Sequence, residues 1–388
     1  MKISSMSKNV SMQNSIKMLE QAANLPKAIE KDISKLNNKL LKANISLKLS
    51  SSKIDTYAWY FLLMKIEQKF LLLFLILLIG ACEKKIPFYE ETFFSYDTIV
   101  TIIIERTQKR EKIIKNIKKL LKKYDLIFNI NNPESEIYKL KNYKTNKTYH
   151  ISKDLYEVLK LSKRIYIESN GLFDPTVGII TSLYKFDQKE HNSLPDIKRY
   201  LNYVGFSNII LKDNGTIIFK KKNMIIDTGA ISKGYIIDRI SEYIKKEGVK
   251  NFLVNIGGDI YSYGKNGDNR KWIVGVQHPL KHNSIILKLS LFNEAIATSG
   301  DYERFFYYQG KRYFHILNPF TGLPAFGNIV SVTVISKNAV LADALSTTIF
   351  LLGEKKAKKF MEKFYPDIKY IIIKKINNEL YIKKYNIK

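Results

Sequence analysis

Three times in its second half the chain runs a short strand-like stretch into a turn of Asn, Gly or both and then into a second such stretch. Residues 209–211 and 216–219 flank Asp213-Asn214-Gly215, 302–308 and 313–316 flank Gln309-Gly310, and 370–373 and 380–382 flank Asn377-Asn378. Turns this short join neighbouring strands antiparallel, since a parallel return needs a crossover of a dozen residues or more. Further strands are expected over 98–104, 252–256, 272–277, 285–291 and 330–335, where β-branched residues accumulate.

Helical spacing is equally clear elsewhere. Ile113, Ile114, Ile117, Leu120, Leu121 and Tyr124 form one apolar stripe. A second helix is expected over 153–169, with Leu155, Val158, Leu159, Ser162, Ile165 and Tyr166 on one face and Asn170-Gly171 as its C-terminal cap. A third is expected over 339–352, stopped by Gly353. Strands and helices mix without strict alternation, which indicates an α+β fold with antiparallel sheets and packed helices. Without a low-complexity linker, residues 93–388 read as one catalytic unit.

Within this frame, Asp227-Thr228-Gly229-Ala230-Ile231-Ser232-Lys233-Gly234 links the end of an expected strand, Met224-Ile225-Ile226, to a glycine-punctuated turn and a helix start. Free N–H groups of a first helical turn, beside a lysine, favour an anion. A purely structural turn has the same composition. Asp343 and Thr347 stand four apart on the third helix, so their oxygens share a face. Carboxylate and hydroxyl are hard oxygen ligands suited to Mg2+ that retains waters and phosphate oxygens. The alternative is Thr347 bonded back to the Asp343 carbonyl, but the helix around them is almost wholly apolar, and a lone buried carboxylate needs a partner. Four further segments read either as turns or as places of ligand approach: Phe173-Asp174-Pro175-Thr176-Val177-Gly178, Asn255-Ile256-Gly257-Gly258-Asp259-Ile260, Ala297-Thr298-Ser299-Gly300-Asp301-Tyr302 and His315-Ile316-Leu317-Asn318-Pro319-Phe320-Thr321-Gly322.

The net charge of +28 invites a nucleic-acid reading, yet only eight of the 64 basic residues are Arg. Base and phosphate recognition favours the planar Arg fork, so no nucleic-acid partner is expected, while the charge suits anionic lipid or an anionic substrate. Five scattered histidines and one cysteine disfavour a zinc or iron centre. That cysteine, Cys82, follows a basic-tending head at 64–69, an apolar run at 70–79 and the small residues Gly80-Ala81. The run is shorter than the ~20 residues a membrane span takes and resembles a bacterial lipoprotein signal peptide over 64–81. The expectation is cleavage before Cys82, lipidation of its sulfur, a tether over 82–92 and a bilayer-anchored protein facing the periplasm or cell exterior. A core helix ending in an unmodified Cys is the alternative. Residues 1–63 would then be an upstream extension, either a misassigned start or a leader.

The ordered series of motifs resembles one family, the FAD:protein FMN transferases, formerly called thiamine biosynthesis lipoproteins. It comprises Ser95-Tyr96-Asp97-Thr98, Pro133-Glu134-Ser135-Glu136-Ile137, Gly171 to Gly178, Asp227 to Gly234, Asn255 to Asp259, Thr298-Ser299-Gly300, His315 to Gly322 and Asp343 to Thr347. The resemblance implies a flavin-transferase, T-fold-like architecture and an Mg2+-dependent enzyme. Such an enzyme cleaves FAD, attaches FMN to a Thr or Ser hydroxyl and releases AMP, with acceptors in membrane redox complexes that carry a Ser/Thr flavinylation motif. It also implies Mg2+ at the Ala230 carbonyl, Asp343 and Thr347, and FAD against Tyr96, Leu172, Phe173, Asp174, Asp227, Lys233, Leu317 and Ser346. Lys233 and Asp343 would serve catalysis, with His315 as general base or acceptor-positioning group.

Two departures from the family pattern carry expectations of their own. Tyr96-Asp97-Thr98 stands where Met-Gly-Thr is usual, and Asn131 or Asn132 where an aromatic residue is common. Asn131 is thus expected at the flavin site, admitting water and permitting FAD hydrolysis to FMN and AMP. An FAD pyrophosphatase and a non-catalytic flavin-binding lipoprotein are the alternative functions.

Overall fold

In the computed structural model, residues 87–387 are described apart from 185, 187–192 and 282. The expected extension at 1–63, the signal peptide at 64–81 and the lipidation site Cys82 lie outside the described residues. In chain order the first elements are β1 (Phe88–Ser95), β2 (Thr98–Glu105), α1 (Arg110–Phe128), α2 (Glu136–Lys139), β3 (Thr148–His150), α3 (Lys153–Glu168), α4 (Gly178–Tyr184) and α5 (Lys198–Leu201). They continue with β4 (Ile209–Lys212), β5 (Thr216–Phe219), α6 (Ser232–Lys246), β6 (Phe252–Ile256), β7 (Asp259–Tyr263), β8 (Trp272–Gln277), β9 (Ile285–Leu291) and β10 (Glu294–Gly300). The last are β11 (Phe305–Tyr308), β12 (Lys311–Phe314), β13 (Ile329–Ser336), α7 (Ala339–Phe364), β14 (Lys369–Ile376) and β15 (Glu379–Tyr385).

Eight strands form one antiparallel sheet in the order β1-β2-β6-β7-β10-β13-β14-β15. Alternation sends Val100, Ile102 and Ile104 of β2 to one face. There they meet Ile113, Ile117 and Leu121 of α1, Ile236 and Ile240 of α6, and Leu345 and Ile349 of α7. On the opposite face the β8–β9 hairpin lays Trp272, Val274 and Leu291 over Leu253, Ile296, Ile335 and Ile371. Apolar cover on both faces explains why β13 is buried along almost its whole length. A third cluster, with Ile180, Tyr184, Phe306, Tyr313 and Leu317, joins α4 to the β11–β12 hairpin. All described residues fall in one compact unit, Glu83–Lys388.

The expected hairpins form as pairs of antiparallel strands. Gln309-Gly310 and Asn377-Asn378 carry positive φ at both central residues, the geometry that matches strand twist. The α+β architecture read from the sequence is therefore observed, with five local differences. Phe88 already opens β1, so a tether over 82–92 ends earlier; Glu91 interrupts the apolar alternation of Tyr89 and Phe93, which pack on the core. Thr298-Ser299-Gly300 closes β10 instead of forming a turn. The strand expected from 302 begins at Phe305. Met224-Ile225-Ile226 makes only an isolated parallel bridge, Val177 to Ile225. Gly353, at φ 73° and ψ 157°, breaks α7 as expected, but the helix resumes and runs to Phe364.

Candidate active site

Two helix starts are clamped together by each other's carboxylates. Asp227 Oδ1 accepts the Gly229 N–H at 2.8 Å, turning the chain into α6. Two residues into α6, the Gly234 N–H donates to Asp343 Oδ2 at 3.0 Å, so a side chain of α7 occupies the anion position at that terminus. In return, Asp238 of α6 accepts the Ala339 and Val340 N–H groups that open α7, at 2.8 and 3.0 Å. Burial pushes the Asp238 carboxyl up to about 6, against the pull of the two N–H donors. Gly234 permits the close crossing: a Cβ there would strike the Ala339 carbonyl oxygen and come within 2.7 Å of the Val340 Cα.

This clamp brings Lys233 beside Asp343, and the Gly257-Gly258 turn between β6 and β7 brings in Asp259. The Lys233 ammonium lies 3.0 Å from Asp259 Oδ2 and 3.4 Å from Asp343 Oδ1. Burial works against the Lys233 charge, but the two carboxylates outweigh it and hold the ammonium above its ordinary range. Burial pushes Asp259 upward, with Lys233 opposing and Asp343 reinforcing the shift. The Lys233 ammonium is the partner of Asp259 Oδ2 in this pocket. One ammonium thus faces two nearly fully buried carboxylates, an arrangement with room for a further cation.

Hydroxyls complete this wall. Ser299 at the end of β10 bonds the Ser346 hydroxyl at 2.7 Å and the Thr347 hydroxyl at 2.9 Å. Asp343, Thr347, Ser299, Asp259 and Ala230 line one cavity of about 460 Å³, a size usual for small-molecule sites. Lys233, Asp227, Tyr96, Leu172, Phe173 and Asp174 line it as well, and so do His315 and Leu317. Tyr96 shares a 2.9 Å hydrogen bond with the Ser232 hydroxyl, and burial holds its phenol above the ordinary range. Asp174 accepts the Thr176 N–H and hydroxyl at 2.8 and 2.6 Å and the Phe206 N–H at 3.2 Å, so its carboxylate also fastens two loops.

Two residues expected at the flavin stand outside this lining. Asn131 is exposed in a turn where its N–H donates to Asn129 Oδ1, and Asn129 with Ile130 lines the cavity instead. Asn129, the C-cap of α1, donates to Asp125 one turn back at 2.8 Å and to Asp97 at 3.2 Å, and only the second bond joins separate segments that sequence spacing does not reveal. The water path expected through Asn131 thus has no counterpart in the cavity wall. Ser346 is buried behind the wall, bonded to Ser299 and donating to the Asp343 carbonyl at 2.8 Å.

His315 extends the β11–β12 hairpin by one pair beyond Phe305 and Phe314. Its N–H donates to the Arg304 carbonyl at 3.0 Å, and its Nδ1 lies 3.3 Å from the same oxygen. Desolvation, the Arg304 charge and Lys233 push the imidazole down to about 3, so it is neutral at physiological pH. Asp259, Ser299 and Arg304 line the cavity but were not among the expected site residues. The first two sit in motifs that the sequence marks; Arg304 carries no local signal and is identified only through its pairing with His315.

The set of oxygen donors fits Mg2+. Mg2+ characteristically keeps waters and substrate oxygens beside one or two protein oxygens, and Asp343 with Thr347 offers such hard oxygens in the cavity wall.

The flavin transferase ApbE from Vibrio cholerae superposes with a TM-score of 0.70 at 24% identity, covering 77% of this chain and 97% of that one. The fold is that of the flavin transferases, and curated relatives place the chain in the transferase class of enzymes. The FAD:protein FMN transferase of Buchnera aphidicola from Schizaphis graminum is 33% identical over 232 residues, 58% of this chain and 68% of the relative. That of Haemophilus influenzae is 30% identical over 267 residues, 66% and 77% of the two chains. The sequence model of the ApbE family matches residues 96–372, and the chain belongs to that family.

Proposed function

We propose that the protein transfers FMN from FAD to a Thr or Ser hydroxyl of an acceptor protein in an Mg2+-dependent reaction that releases AMP. The observation that carries this reading is the convergence of Asp343, Thr347, Ala230, Lys233 and His315 on one cavity. The acceptor oxygen forms a bond to the FMN phosphorus, the bond from that phosphorus to the bridging oxygen breaks, and AMP leaves with the electron pair. The hydroxyl proton passes to a base, and His315, neutral and in the cavity wall, is suited to take it.

Asp343, Thr347 and the Ala230 carbonyl would hold Mg2+. When bound, the ion supplies charge neutralisation at the phosphates. Lys233 adds a fixed positive charge, kept in place by Asp259 and Asp343. The aromatic and apolar side chains of Tyr96, Leu172, Phe173 and Leu317 offer surface for the flavin or adenine rings.

Incubation with FAD, Mg2+ and an acceptor domain from a membrane redox complex tests the reading. A fluorescent flavin that stays on the acceptor in a denaturing gel is expected, and its absence at any metal concentration would reject transfer. Anchoring through a lipidated Cys82 on the periplasmic or outer side belongs to the same proposal, supported by the basic-tending head, apolar run and small residues before it. Mass spectrometry of membrane-extracted protein checks it, since a mature species retaining residues before Cys82 contradicts the anchor.

A further inference from the structure

Arg304 is cavity-lining, exposed and, among the described residues, without an ion pair. The other basic residue named in the wall, Lys233, is already committed to Asp259 and Asp343. The backbone of Arg304 does separate work. Its carbonyl can only accept, so at 3.3 Å the neighbouring Nδ1 of His315 must be the donor. The neutral ring then carries its proton on Nδ1 and its lone pair on Nε2, for which no protein partner is found among the described residues. The strand pairing through Phe305 and Phe314 fixes both residues at the mouth of the same hairpin.

We propose that Arg304 is a positioning residue for the transfer reaction, its carbonyl setting His315 with a proton-free Nε2 and its guanidinium giving the cavity an uncommitted cation for substrate phosphate. This rests on the flavin-transfer reading and deepens it. A planar guanidinium matches phosphate oxygens in pairs, a geometry the Lys233 ammonium cannot reproduce. The same charge stands beside the imidazole and opposes its protonation. Lys233, Glu303, Asp259 and Asp343 are the other charged groups of this part of the cavity, and burial raises the Glu303 carboxyl while Lys233 and Arg304 oppose that rise.

The test compares wild type with Arg304→Met, Arg304→Lys and His315→Gln in the flavinylation assay across pH. Arg304→Met is expected to lower kcat/KM about tenfold to hundredfold and to move the acid limb of the profile upward by about one pH unit, while Arg304→Lys keeps the limb near its wild-type position. Long-range 1H–15N spectra of the wild-type protein should show His315 protonated at Nδ1 and bare at Nε2. A profile for Arg304→Met that superimposes on wild type, or a His315 protonated at Nε2, overturns the assignment. Wild-type turnover in His315→Gln would instead remove the base from the underlying reading, a result distinct from either.

Discussion

At the scale of single residues, the chemistry rests on Asp343 being bound from two sides. Its carboxylate meets the Gly234 N–H and the Lys233 ammonium, and its main-chain carbonyl takes the Ser346 hydroxyl. Asp343→Ala is expected to abolish Mg2+-dependent transfer, read as loss of AMP release in the purified, folded protein; retained turnover contradicts the metal assignment. His315→Gln should lower kcat by about 10² to 10⁴, the range of a general base. Because the imidazole is pushed down to about 3, it stays an unprotonated base as pH falls through 6.5. The acid limb should therefore lie well below the ordinary His range, as a pH–rate profile will show. The sequence marks Asp343, Thr347 and Lys233 by spacing and setting, because a polar pair in an apolar helix and a lysine at a helix start both need explanation. It does not mark Arg304, whose partner across a hairpin is visible only once register is known, nor does it place Asn131 outside the wall.

At the scale of elements, the site depends on α6 and α7 starting against one another. Gly234→Ala must push the helices apart, since its Cβ meets main chain rather than a flexible side chain. A loss of about 1–3 kcal/mol in denaturant unfolding is expected, with activity lost alongside because Lys233 and Asp343 separate. Asp238→Ala should cost about 1 kcal/mol or somewhat more through the lost cap of α7, while leaving the Gly234 to Asp343 bond intact. Past the Gly353 break, Glu354 joins α7 to Lys374 of β14 and to Lys383 and Tyr385 of β15. These bonds, led by Lys374, hold its carboxyl down at about 2. A folded-state value below the unfolded one means the stabilisation is present above the unfolded range near 4.5 and fades as pH falls toward 2. Glu354→Gln should therefore flatten the fall of thermal stability over that window, and an unchanged curve would show the pairing to be energetically silent. Strands and hairpins were legible because turn chemistry and β-branching are local signals. Edge strand β1 and the end of β10 were not, because charged or small residues there hide the alternation that packing imposes.

At the scale of the whole molecule, one antiparallel sheet covered by helices on one face gathers the end of β10, the turn between β6 and β7 and two helix starts into a single cavity. Residues far apart in sequence, from Tyr96 to Thr347, become neighbours only through that topology. The order of motifs carried the family resemblance, while reciprocal capping and the Lys233 ion pairs came from the fold. The most direct test of the account is the stoichiometry of a single reaction: purified protein, FAD, Mg2+ and an acceptor domain, with AMP and acceptor-bound flavin measured together. The proposed transfer predicts equal amounts of the two, both abolished by metal chelation. AMP accumulating without acceptor-bound flavin would contradict it.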